Sequence, residues 1–193
     1  MLTMNLSSNW TPLTMPRPAA SPAPHPNAIS LELAFTAANT LALVAWSLLV
    51  ARTHVANNAR PNNRDELLKI AKVTRLAEQG VRFTAIVFAV AYFGALAAYV
   101  VTSGVGVGVF GSFSSLQGIK SLFANDVVLL GGWLHYLAFD LVVASHGALN
   151  EGQYGVPRAL TIGLSLPLSF IAGPVGYLCS RCLVRVYSRR TTQ

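Results

Sequence analysis

Trp133, His135, Tyr136 and Asp140 set two ionisable groups and two amphipathic aromatics into one run, Asn125 to His146, that is otherwise apolar enough to cross a membrane. A charged side chain at the bilayer centre costs at least about 2.5 kcal/mol on insertion scales, so an acid at this depth faces protein or water and often marks function. A carboxyl, an imidazole and a phenol together suit proton transfer. At 100° per residue, the three- and four-residue intervals put Trp133, Tyr136 and Asp140 on one helix face. His135 stands about 140° from Asp140, so the two are not expected to form a dyad. His135, Asp140 and Tyr136 are the catalytic candidates if the chain is an enzyme. Helix packing is the reading that asks least of them.

The other reactive side chains carry weaker signals. His54 and His146 fall near the expected membrane boundaries and read as interface residues. The chain has no close His-carboxylate pattern of the metalloprotease kind, so no metal is expected, and haem ligation by His135 has nothing to support it. Cys179-Ser180-Arg181-Cys182 has the spacing of a redox pair, but it lies near a helix C-terminus, where the dipole disfavours a thiolate. Gly104, Gly106 and Gly108 alternate without a preceding strand or a following Lys-Ser or Lys-Thr pair, which excludes a phosphate cradle. Asn5-Leu6-Ser7 fits a glycosylation acceptor but has no secretory signal before it.

The elements that must hold these residues follow from composition. The chain has 193 residues, of which 53% are hydrophobic and 11% charged, and its mean hydropathy is +0.50. Soluble domains carry roughly 25% charged residues, so this is an all-α integral membrane protein. Its net charge of +7 comes from bases that flank apolar runs, which suits anionic lipid and not nucleic acid. Arg52, Arg82, Arg181, Arg185 and Arg189 are the expected lipid-binding residues.

About four transmembrane helices are expected, at 29–51, 83–101, 126–146 and 159–184, within a single domain over 29–187. Residues 1–28 form an extended Pro-rich arm, because repeated proline removes amide donors, and 188–193 form a basic tail. Arg17 is the arm's lone arginine, fewer than a transit peptide normally carries. From Asp65 onward apolar residues recur at helical spacing, giving an amphipathic helix before the second span. Residues 104–123, rich in Gly and Ser, read as a long loop or a re-entrant piece. Pro167 and Pro174 should kink the fourth span. Four crossings would place both ends on one side, with basic residues nearly balanced across the membrane, so the positive-inside rule does not orient the chain.

Asn125-Asp126, the run Trp133 to Leu141 and Gly173-Pro174-Val175-Gly176-Tyr177 resemble the abscisic-acid-deficient-four-like membrane proteins, the neoxanthin-synthesis family; Ala38-Asn39 and Ala45-Trp46 look like that family's opening helix. The resemblance implies a four-helix plastid-type protein of xanthophyll conversion, with Trp133, His135, Tyr136 and Asp140 as signature positions and a carotenoid as ligand. The arm, the basic connection and the Gly-rich stretch read as partner-binding parts. The function expected first is therefore a non-catalytic accessory subunit of an energy-transducing complex in the mitochondrial inner membrane. It would bind other membrane subunits and cardiolipin-like structural phospholipid, with no further cofactor. A carotenoid-modifying enzyme or isomerase in a plastid membrane is the alternative.

Overall fold

In the computed structural model, described for residues 26–58, 63–103 and 111–190, every element is a helix. The Pro-rich arm up to residue 25, the glycines Gly104, Gly106 and Gly108, and the last three residues of the basic tail lie outside the described residues.

Helix α1 is Pro26–Asn58 and α2 is Arg64–Ser103. The Asn63 side chain accepts the Glu66 amide at 2.8 Å and so caps α2, whose first turn carries Asp65 and Glu66 beside the positive end of the helix dipole. At 40 residues α2 is about 60 Å long, twice the hydrocarbon core, so the amphipathic stretch and the second span are one continuous helix. Short α3, Leu116–Phe123, starts at Ser115, whose hydroxyl accepts the Gly118 amide at 3.0 Å. Part of the stretch expected as a loop is thus helical. Helix α4, Asp126–Gln153, is capped by Asn125, which accepts the amides of Val127 and Val128 at 3.0 and 3.3 Å.

Three stretches are long and apolar enough to cross a membrane: Ser30–Ala56, Arg64–Thr102 and Asp126–Gln153. Helices α1, α2 and α4 alternate in direction. Leu49, Val81 and Leu141 meet in one core cluster, and Ala38, Phe88 and Leu134 in a second. Leu33, Phe93 and Val101 are among many large apolar side chains left exposed, as lipid permits.

The segment expected as a fourth crossing is two helices. Helix α5, Arg158–Ile171, contains a π-helical turn at Thr161–Ser165 just before Pro167; α6, Gly173–Arg190, begins beside Pro174. The prolines therefore mark a reframed turn and a break, where the sequence suggested two kinks. Helix α5 runs antiparallel to α4, because Ser165 hydrogen-bonds Glu151 while Tyr136 donates to the Ile171 carbonyl at 2.8 Å. Helix α6 runs parallel to α4, because Gly173 packs on Asp140 and Gly147 on Ser180. The two form a hairpin that turns at Ala172, level with the middle of α4, and returns.

The described ends consequently lie at opposite ends of the bundle. Basic residues divide with them. Arg52, Arg64, Lys69, Lys72, Arg75, Arg82, Arg158, Arg181, Arg185 and Arg189 gather at the Asn58 end, and among the described residues Lys120 alone lies at the Pro26 end. Such asymmetry does orient a chain, placing the Asn58 end on the side from which the protein inserts. With Cys179 and Cys182 changed to Ser, single cysteines at Ser30→Cys and Val186→Cys should react with an impermeant maleimide from opposite sides of sealed vesicles. Labelling of both from one side would mean four full crossings.

Candidate functional site

Asp140 lies about 21 Å along α4 from Asp126, near the helix midpoint, and is 3% exposed. Its depth follows from the stripe it belongs to: Leu137, Asp140, Leu141 and Ala144 all turn inward from α4. The approach of α6 completes its burial. A Cβ built at Gly173 would sit 2.0 Å from Asp140 Oδ1, so only glycine lets the start of α6 come so near. One turn on, a Cβ at Gly176 would lie 2.4 Å from the Ser169 Cα, so the second glycine lets α6 fold back on α5. Asp140 Oδ2 is buried with no hydrogen-bond partner. A buried polar atom without a partner costs about 1–3 kcal/mol, which a water or a ligand group at this oxygen would relieve.

Tyr136, one turn earlier on the same face, stands beside the Asp140 carboxyl and gives its hydroxyl proton to the Ile171 carbonyl. Trp133 donates from Nε1 to Asn39 Oδ1 at 2.9 Å and stacks on Tyr136 with ring centroids 5.5 Å apart. The face expected from helical spacing is thus one wall of a cavity of 380 Å³, closed by Asn39, Trp46 and Phe170. Trp46 and Phe170 meet edge to face at 5.1 Å and also border an apolar groove of 730 Å³ that runs between α1 and α5 towards His54. On the other side Trp133 opens onto a groove of 450 Å³ beside Glu32 and Asp126.

His135 belongs elsewhere. Its ring lies 4.9 Å from Tyr92 and 6.2 Å from Phe139, on a shallow α2–α4 groove facing away from Asp140. Arg52 is 8% exposed and pairs with Glu78 at 3.7 Å; Arg82 also pairs with Glu78. Arg181 and Arg185 are exposed on α6, as is Arg189. Cys179 and Cys182 are free thiols, Cys182 exposed. Among the described residues no group of three His, Cys, Asp or Glu could hold a metal.

Gly173, Gly176 and Asn39 do more here than their sequence reading suggested. The Gly-Pro-Val-Gly run signalled a resemblance, and the structure supplies its physical reason: two close approaches with a proline between them, at a helix start where a missing amide proton costs nothing.

A family model described as ABA DEFICIENT 4-like matches residues 33–179, which takes in most of α1, the cavity and the hairpin turn. No curated protein and no solved structure matches the chain.

Gly173→Ala should destabilise the detergent-solubilised protein by about 1–3 kcal/mol, the usual range for overpacking. Thermal unfolding checks this, and Asp140→Ala in the same chain should recover part of the loss by vacating the space. Equal unfolding of Gly173→Ala and the parent would mean the two helices are not in contact here.

Proposed function

Because the chain belongs to the ABA DEFICIENT 4-like family, we propose that it is a xanthophyll-modifying membrane protein of the neoxanthin-synthesis type, acting in a plastid membrane. The observation that carries this reading is an unpartnered carboxylate oxygen beside a largely apolar cavity that shares Leu43, Trp46 and Phe170 with the groove between α1 and α5. A polyene reaches such a site from the lipid without passing through water. One end of it fits beside Asp140 and Tyr136, and the rest follows the groove between α1 and α5 towards His54.

Isomerisation moves a proton and a double bond and consumes no oxidant or reductant. Asp140 Oδ2 takes a proton from one carbon and the C–H electron pair becomes the new double bond, while the π pair of the old double bond takes a proton from the Tyr136 hydroxyl at the far carbon; Asp140 then loses its proton and Tyr136 regains one. Tyr136 is placed to help, since its hydroxyl can turn from the Ile171 carbonyl towards Asp140 or the substrate. The aromatic walls, Trp46, Trp133 and Phe170, hold the polyene by its flat face. His135 has no part in this chemistry because it opens onto a different groove.

Family membership supports this reading over an accessory subunit of a mitochondrial complex. The exposed apolar flanks do not require partner subunits, because lipid covers them equally well.

Xanthophyll conversion in membranes carrying the chain, followed by chromatography, tests the assignment. Asp140→Asn should lower conversion on the order of 100-fold or more, within the range for a general acid–base residue, and Tyr136→Phe should lower it by a smaller factor. His135→Ala should stay close to the parent. Conversion unaffected by Asp140→Asn would refute the mechanism.

A further inference from the structure

Asp140 and Glu151 are eleven residues apart on α4, a spacing that returns to within about 20° of the same face and separates them by about 16 Å along the axis. Both are buried, Glu151 fully, and each keeps one oxygen without a partner. Between them the same stripe of α4 carries Ala144 and Gly147, small residues of which Gly147 lets Ser180 of α6 come close. The hairpin helices bury hydroxyls beside this stripe: Thr161, Ser165 and Ser169 from α5 and Ser180 from α6 are all at least nine-tenths buried, with Ser165 on Glu151, Ser180 on Gly147 and Ser169 against Gly176. Ser165 donates to Glu151 Oε1, and Ser169 donates to the Ser165 carbonyl at 2.9 Å. Thr161 Oγ1 is buried and unpartnered.

Packing does not require such a seam. The α1, α2 and α4 contacts are filled by Ala, Leu, Val, Phe and Trp46, and Ala144 and Leu166 carry that apolar packing to one side of the seam. The seam coincides with the π-helical turn Thr161–Ser165, and such turns recur where a helix serves function. Its lower end is the midplane carboxyl. Its upper end, Glu151, lies two residues from the end of α4, in the half of the bundle that holds the basic residues. Cys179 is the titratable group that lies near Glu151, and Arg158, whose Nη1 is buried and unpartnered, stands seven residues before Ser165 at the start of α5.

We propose that the α4–α5–α6 seam is a hydrated proton path joining the Asn58 end of the bundle to Asp140, with Glu151 as its relay carboxyl. The inference rests on the acid–base reading of Asp140, which must shed or regain a proton between turnovers at a depth that bulk water does not reach. Waters at Asp140, Thr161 and Glu151 would supply the partners that the orphaned oxygens lack. Each hydroxyl or water passes on one proton and receives one, so the path ends each transfer unchanged. Glu151 takes the proton from solvent and releases it inward, and Asp140 is the terminus. Ser165 and Ser169 are positioning residues that line the route.

Cysteine accessibility in sealed vesicles tests the path. With Cys179 and Cys182 replaced by Ser, Ser165→Cys and Ser169→Cys should react with a small cationic methanethiosulfonate added on the side where Val186→Cys reacts, and not from the other side. Serine to cysteine changes little volume, and Thr161→Cys, nearer the mouth, provides a second position. Failure of all three to react, or reaction from the opposite side, overturns the path whether or not the protein converts a xanthophyll. In the conversion assay Glu151→Gln should lower kcat by about ten-fold with KM unchanged, and Glu151→Asp should restore most of it, as expected for a carboxyl that passes protons. A Glu151→Gln protein as fast as the parent overturns the relay. Labelled cysteines together with an active Asp140→Asn protein would instead overturn the catalytic reading of Asp140.

Discussion

A chain that reverses direction inside a membrane has no water with which to satisfy its backbone, and the turn at Ala172 meets this constraint through contact with α4. The Ala172 amide donates to the Leu168 carbonyl at 2.9 Å, and its carbonyl accepts from Val175 and Gly176 at 2.9 and 3.1 Å. The Phe170 and Ile171 carbonyls face the Tyr136 hydroxyl. Gly173 and Gly176 remove the two Cβ atoms that would hold α6 away from Asp140 and Ser169. The depth of the carboxyl, the cavity beside it and the polar seam above it all follow from this one reversal.

The hairpin also explains how an otherwise lipid-like bundle keeps polar groups at its centre. Helices in lipid gain little from burying apolar surface, so small residues and hydroxyls hold them together. Gly147 against Ser180 and Ser165 against Glu151 are contacts of this kind. They leave one face of α4 polar from Asp140 to Glu151 while its opposite face stays apolar against α2. The cavity draws on both characters, with a carboxyl and a phenol on one wall and Trp46, Leu43 and Phe170 on the other.

Much of the candidate site was legible in the sequence, because a helix fixes angular relations between neighbours without reference to the rest of the fold. Trp133, Tyr136 and Asp140 do share a wall, and His135 does point away. Asn39 was read as part of an opening helix; its hydrogen bond to Trp133 needs two elements to be placed side by side. Glu151 raised no signal, since a Glu near a helix end ordinarily faces solvent. Nothing local says that a returning helix will cover it.

The first three membrane helices and the amphipathic stretch before the second were determined by the sequence alone, because length and periodicity act within a few residues. The family was legible for the same reason, as short runs of side chains. Only the tertiary structure decided that 158–190 enters the bundle and returns. Proline marks where a helix is weak, but whether the chain bends by a few degrees or reverses depends on what lies beside it. Here it was Asp140 and Ser169 meeting two glycines that allowed reversal, and that contact gathered the basic residues at one end and put a carboxyl at the centre.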